Sequence, residues 1–147
     1  MAYKITHKNE HEGYEYFREH IVPRDAAEQC VVSAYRLPPG KAAYPYHWHT
    51  QNEEVFYILS GTGTLKTPAG ERQVSAGEFL FFPANASGAH KLTNTGGEEL
   101  IYIDFDTQNA IDACVYPDSG KIGVWGKGIN QVFRAEDRVG YYEGEQA

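Results

Sequence analysis

The chain has 147 residues, 41% of them hydrophobic and 22% charged, with a formal net charge of -7. That length and balance suit one soluble globular domain able to bury its own core. The negative charge argues against a nucleic-acid partner, which needs a basic surface, so the 14% aromatic content does not read as base-stacking platforms.

Fifteen glycines and seven prolines punctuate short apolar runs, a pattern of many turns and short strands. Residues 1–28 are polar and predict an irregular arm over the core, with room for one short strand. His7, His11 and His20 are expected there as exposed or locally hydrogen-bonded side chains. The first sixteen residues hold no apolar signal-peptide core, and no run approaches transmembrane length. No membrane partner is expected.

Residues 30–37 predict the first strand, ended by Pro38-Pro39-Gly40. Strands over 42–49 and 54–59 follow, then a bend at Gly61-Thr62-Gly63 and a hairpin of 64–67 with 71–74 around Pro68-Ala69-Gly70. Phe79-Leu80-Phe81-Phe82 is apolar on both faces, which predicts a strand in the middle of a two-layer packing, and Pro83 stops it. A loop of small residues leads to 90–94, and further strands are expected at 100–105, 111–116 and 122–125. The tail is charged, with a helical turn expected near 135–138. No helical period of ten residues appears before residue 128, so the fold class is all-β, a sandwich or barrel. The chain divides into an arm (1–28), a barrel (29–126) and a tail (127–147) of a single domain. Cys30 and Cys114 are expected as buried reduced thiols in a cytoplasmic protein, with a disulfide between them as the alternative.

The chemistry concentrates at Tyr46-His47-Trp48-His49-Thr50-Gln51-Asn52-Glu53-Glu54. Histidines two apart on a strand share a face, and Glu54, opening the next strand, can return beside them. Two imidazoles and a carboxylate on one inward face suit Zn, Fe, Mn, Ni or Cu.

The order Gly40, six residues, His47-x-His49, four residues, Glu54, six residues, Gly61 resembles the first motif of the cupin superfamily. Gly77, five residues, Pro83, then His90, three residues, Asn94 resembles the second, and the fifteen-residue spacer is similar to that of small single-domain microbial cupins. The resemblance implies a double-stranded β-helix, or jelly-roll barrel, with a metal held by His47, His49, Glu54 and His90. Glu54 rather than Glu53 keeps the motif's distance to Gly61. The sequence departs from the pattern at Asn85, where glycine is usual, in a loop to His90 that is two residues longer, and in one extra residue between Gly40 and His47.

Three neutral imidazoles and one carboxylate would leave one divalent transition metal (Fe, Mn, Zn or Ni) with a net charge near +1 and open positions for substrate. Phe56, Ile58, Leu92 and Ile103 are expected to line an apolar pocket around it. Tyr44, Tyr46 and Trp48 fall on the opposite face, toward the arm or a second subunit. No Ser-His-Asp order, phosphate-cradling loop or Cys-x-x-Cys pair is present. The expected function is therefore a small metalloenzyme, an isomerase, dioxygenase or decarboxylase, acting on a small-molecule substrate such as a sugar or organic acid. The alternative is a non-catalytic module that binds a metal or small ligand. Aromatics in the two terminal segments point to a homodimer.

Overall fold

In the computed structural model, which describes residues 7–146, backbone pairing is entirely β. The strands are β1 (His7–His11), β2 (Tyr14–Val22), β3 (Cys30–Leu37), β4 (Trp48–His49), β5 (Glu54–Ser60), β6 (Thr62–Thr67), β7 (Gly70–Ser75), β8 (Phe79–Phe82), β9 (Lys91–Thr93), β10 (Leu100–Thr107), β11 (Asp112–Tyr116), β12 (Lys121–Gly126) and β13 (Ile129–Arg134). They form a six-stranded sheet in the order β1-β2-β3-β10-β5-β8, a four-stranded sheet β13-β12-β11-β4 and a three-stranded sheet β7-β6-β9. Every named pairing is antiparallel.

The core lies where inward side chains of the first sheet meet those of the third. Leu37, Ile58, Leu80 and Leu100 pack with Leu65, Val74 and Leu92. Period-two alternation puts them there: on β5, Glu54, Phe56 and Ile58 are buried while Val55 and Tyr57 are half-exposed. Gly61 makes the bend out of β5 with φ +85°, where a Cβ would lie 2.5 Å from the Glu99 carbonyl, so only glycine lets the bend pass beneath β10.

The sequence differs from the structure in five places. The N-terminal arm is more regular than its polarity suggested, because β2 sends Tyr16 inward and pairs with β3 from Phe17 to Val22. The interior it meets is polar, which hides the alternation; residues 1–6 of the arm lie outside those described. Residues 42–49 are not one strand. Pro45 interrupts them, leaving isolated bridges at Ala42 and His47 and only Trp48–His49 as strand. The tail carries a strand not expected from its charge, β13, ahead of the expected helical turn, which is a 3₁₀ turn at Ala135–Asp137.

The run Phe79-Leu80-Phe81-Phe82 is not in the middle of the packing. It is the edge strand β8, burying Leu80 and Phe82 while Phe79 and Phe81 are 70% and 59% exposed. Both thiols are free, and Cys30, at the first position of β3, is exposed; Cys114 is buried.

Candidate metal centre

A pair of backbone hydrogen bonds sets the centre. His47 N–H donates to the His90 carbonyl at 3.2 Å and His90 N–H donates to the His47 carbonyl at 2.9 Å, which places their rings 4.8 Å apart. His49 arrives from β4, held against Cys114 of β11, and Glu54 is the first inward residue of β5, opposite Phe82 and Asp106. The neighbouring Glu53 is exposed, its N–H given to Thr107 Oγ1.

The loop before His90 absorbs its extra residues as a 3₁₀ turn, Ala86–Gly88, with Asn85 accepting from Ser87 N–H and Oγ at 2.8 and 2.6 Å. Gly88 packs against Pro83 so tightly that a Cβ would fall 2.0 Å from the Pro83 carbonyl oxygen. That approach brings the Gly88 carbonyl to His90.

Each of the three rings has an acceptor at Nδ1: the Pro45 carbonyl for His47 (2.8 Å), Asp112 Oδ2 for His49 (2.5 Å) and the Gly88 carbonyl for His90 (2.9 Å). An Nδ1–H donated there leaves the Nε2 lone pair free to bind a cation. The donor atoms of His47, His49 and Glu54 lie within 4.8 Å of one another. His47 Nε2 is 3.2 Å from His49 Nε2, and Glu54 Oε2 is 3.3 Å from His49 Nε2 and 3.2 Å from His90 Nε2. Neither approach to Glu54 has hydrogen-bond geometry, so Glu54 Oε2 and His90 Nε2 are buried without a partner.

Ligands about 2.1 Å from a metal are separated by about 3.0 Å in an octahedron and about 3.4 Å in a tetrahedron. The observed spacings fall between the two. His47, His49 and Glu54 fit a divalent transition metal, because their donor atoms gather within 4.8 Å of one another; His90 Nε2 is outside that group and stands 3.2 Å from Glu54 Oε2.

The electrostatics differ from group to group. Burial, then His90, pushes His47 down to about 4, so its ring is neutral at ordinary pH. Burial opposes charge on His49, but the hydrogen bond to Asp112, the Cys114 thiol and the nearby Glu54 carboxylate raise it overall. Burial likewise opposes ionisation of Glu54, yet His90 and His49 hold it well below the usual carboxylate range.

A cupin domain is matched over residues 34–106. This chain belongs to the cupin superfamily. The cupin is 27% identical over 86 residues to an oxalate-binding protein of Thermotoga maritima, covering 57% of this chain and 69% of that one. It is 34% identical over 64 residues to quercetin 2,3-dioxygenase of Bacillus subtilis, covering 44% of this chain but only 19% of that enzyme. The crystal structure of a proposed sugar phosphate isomerase of Acidithiobacillus ferrooxidans superposes with a TM-score of 0.74 at 29% identity, over 84% of this chain and 80% of that one.

Aromatic rings wall the cupin's centre. Phe82 stacks on His90 with centroids 3.7 Å apart, Phe56 meets His90 edge-on at 5.3 Å, and Tyr116 lies over His47 at 5.8 Å. Of the apolar residues expected here, Phe56, Ile58 and Leu92 are buried. Ile103 is not, because β10 sends Tyr102 and Asp104 inward and Ile103 opposite the half-exposed Tyr57. Tyr44 also turns inward: with alternation broken at Pro45, it bonds Arg18 and Tyr35 and stands edge-on to His47. Tyr46 is buried, with the Lys66 ammonium 4.4 Å over its ring.

Several polar residues of the centre were not singled out from the sequence. Asp112 holds His49 with one oxygen, while the other accepts from Gln51 N–H (2.9 Å), Asn52 N–H and Thr50 Oγ1 (both 3.4 Å). Cys114 Sγ lies 3.3 Å from His49 Nδ1 and accepts from Trp125 Nε1 at 3.2 Å. Asp104 and Asp106 reach the interior from β10, both raised, by burial and then by Glu54, Asp106 to about 7. The available signal was two aspartates of equal parity in an otherwise apolar strand.

Proposed function

We propose that this cupin holds one divalent transition metal, Fe, Mn, Zn or Ni, through Nε2 of His47, His49 and His90 and the carboxylate of Glu54. The metal serves a small metalloenzyme acting on a small-molecule substrate, a sugar or organic acid. The observation that carries the reading is the set of three rings tied at Nδ1, with Nε2 of His49 and His90 at 3.3 and 3.2 Å from Glu54 Oε2 and Nε2 of His47 at 3.2 Å from that of His49. Such an ion, when bound, supplies a Lewis acid that polarises a carbonyl or holds an anionic oxygen. The chain's own part is to orient the rings through Asp112, Pro45 and Gly88, and to exclude water with Phe56 and Phe82.

Elemental analysis tests this: wild type from metal-replete expression carries close to one metal per chain, and His49→Ala carries little. Equal metal in both, or none in the wild type, refutes the assignment. A non-catalytic binding module is the second reading, favoured by the oxalate-binding relative. Screening sugars, keto acids and catechols separates the two: turnover lost in Glu54→Gln means catalysis, and thermal shift without turnover means binding.

The same proposal takes the working form to be a homodimer in the reducing cytoplasm. Phe79, Phe81 and Phe105 stand exposed on the outer face of the six-stranded sheet, and the two free thiols suit that compartment. Among the described residues no helix is long and apolar enough to cross a membrane.

A further inference from the structure

We infer that the ligand taken beside this metal is a neutral molecule rich in hydroxyl groups, whose hydroxyls donate to the buried carboxyl oxygens of Asp104 and Asp106, and not a small dicarboxylate. The inference rests on the metal centre proposed above and names the substrate class of that site.

On β10 the inward residues are Tyr102, Asp104 and Asp106. Its register sets Asp106 opposite Glu54 and Asp104 opposite Phe56, so both carboxyls share the interior face with the metal-binding glutamate. Asp104 is 8% exposed and Asp106 9%. Asp106 Oδ2 receives Arg24 at 3.1 Å, but its Oδ1 has no partner. Asp104 Oδ1 has none either, among the described residues. The one hydroxyl opposite Asp104 in register, Ser33 Oγ, is engaged with His20 Nδ1 at 3.3 Å instead. Buried carboxyl oxygens almost always find donors, so two adjacent ones without any call for donors from outside the chain.

The chemistry of those donors follows. A dicarboxylate at neutral pH carries no hydrogen to donate and would add two negative charges beside the Glu54 carboxylate, where burial and that charge already make Asp104 and Asp106 resist ionisation. An ammonium could donate, but it would sit against a bound dication. Hydroxyl groups donate without charge, and a neighbouring hydroxyl or carbonyl of the same molecule can face the metal. Asp104 and Asp106 are thus specificity residues for a polyol.

The test uses full-length protein loaded with Mn²⁺: wild type, Asp104→Asn, Asp106→Asn and, should an asparagine variant fail to fold, the serine variants. Thermal shift and calorimetry are run with a panel of neutral pentoses and hexoses and with oxalate, and metal content is measured in every sample. At least one sugar should stabilise the wild type, and its affinity should fall by at least about tenfold in each variant, as expected when a buried hydrogen-bond partner of a hydroxyl is altered. Oxalate should bind the wild type more weakly than that sugar and gain affinity in both variants. Metal should stay at one equivalent throughout. Oxalate tighter than every sugar, no sugar response, or sugar affinity unchanged by both substitutions overturns the inference. So does a second equivalent of metal that the substitutions remove, which would make the two aspartates cation ligands. Absence of metal from the wild type would refute the centre instead, and sugar titration of the metal-free protein would still read the role of the aspartates.

Discussion

The two faces of the six-stranded sheet invert the usual arrangement of a β-layer at one end. On β10 the inward side carries Asp104 and Asp106, buried, while the outward side carries half-exposed Ile103 and Phe105, 38% exposed. On β8 the inward Leu80 and Phe82 are buried, yet the outward Phe79 and Phe81 are as apolar and largely exposed. An antiparallel sheet with one solvated face should alternate apolar-in and polar-out. Here polar groups have been drawn inside toward a centre, and aromatics left outside where a neighbour can cover them. Departure from amphipathic alternation thus marks two places where the chain serves something other than its own core.

The largest effect should come from breaking the inner face where it is still apolar. Phe82→Ala removes a buried ring and should destabilise the chain by about 3–5 kcal/mol. The ring also stacks on His90, so metal affinity should fall with it. Chemical denaturation with metal titration reads both; a loss of stability with unchanged metal affinity would separate packing from the site. Stripping the metal is next. At one hundred times its dissociation constant an ion contributes about 2.7 kcal/mol, so chelation should lower Tm by about 5–10 °C for a chain of this size. An unchanged Tm after verified removal of metal would show that the polar inner face is held without it.

Smaller again is the effect of the ring-orienting carboxylate. Asp112→Asn keeps shape and can still accept from the Gln51 and Asn52 N–H groups, but loses the charge facing His49 Nδ1. Loss of such an outer partner weakens metal binding by about 10–100-fold. Competition with a chelator of known affinity measures it, and the spectrum of a Co²⁺-substituted sample shows whether His49 still coordinates. An unaltered affinity would make Asp112 a loop anchor only.

How legible all this was depended on whether spacing or pairing carries the information. The first motif could be read because His47, His49 and Glu54 lie within eight residues and their geometry follows from two short strands. His90 needed the family pattern, since only the long-range bridge to His47 within the chain brings it near. Asp112 could not be read: it is a single aspartate at the start of β11, and its role appears only when β11 pairs with β4. The arm misled for a related reason. Arg18 faces the interior, bonding the hydroxyls of Tyr35 and Tyr44, so its strand looks polar on both sides. The run Phe79–Phe82 misled in the opposite sense, because two apolar faces read the same whether the second is buried in the fold or awaits a partner.

That ambiguity yields the smallest effect on the folded chain. Phe81→Ser changes a side chain that is 59% exposed, so the stability of an isolated chain should move by no more than about 0.5 kcal/mol. If the outer face is a subunit contact, the same substitution should convert a dimer to a monomer at micromolar concentration. Phe81 lies on the edge strand β8, opposite the half-exposed Val55, and beside it Phe79 stacks on Tyr57 at 4.5 Å. A serine there puts a hydroxyl into the aromatic patch and removes one of its protruding rings. Light scattering on wild type and variant decides the matter. A wild-type monomer, or a dimer that survives both Phe81→Ser and Phe79→Ser, would show that the exposed aromatics cover something other than a second copy. Metal content should be the same in both samples, because Phe81 points away from the face that carries Glu54.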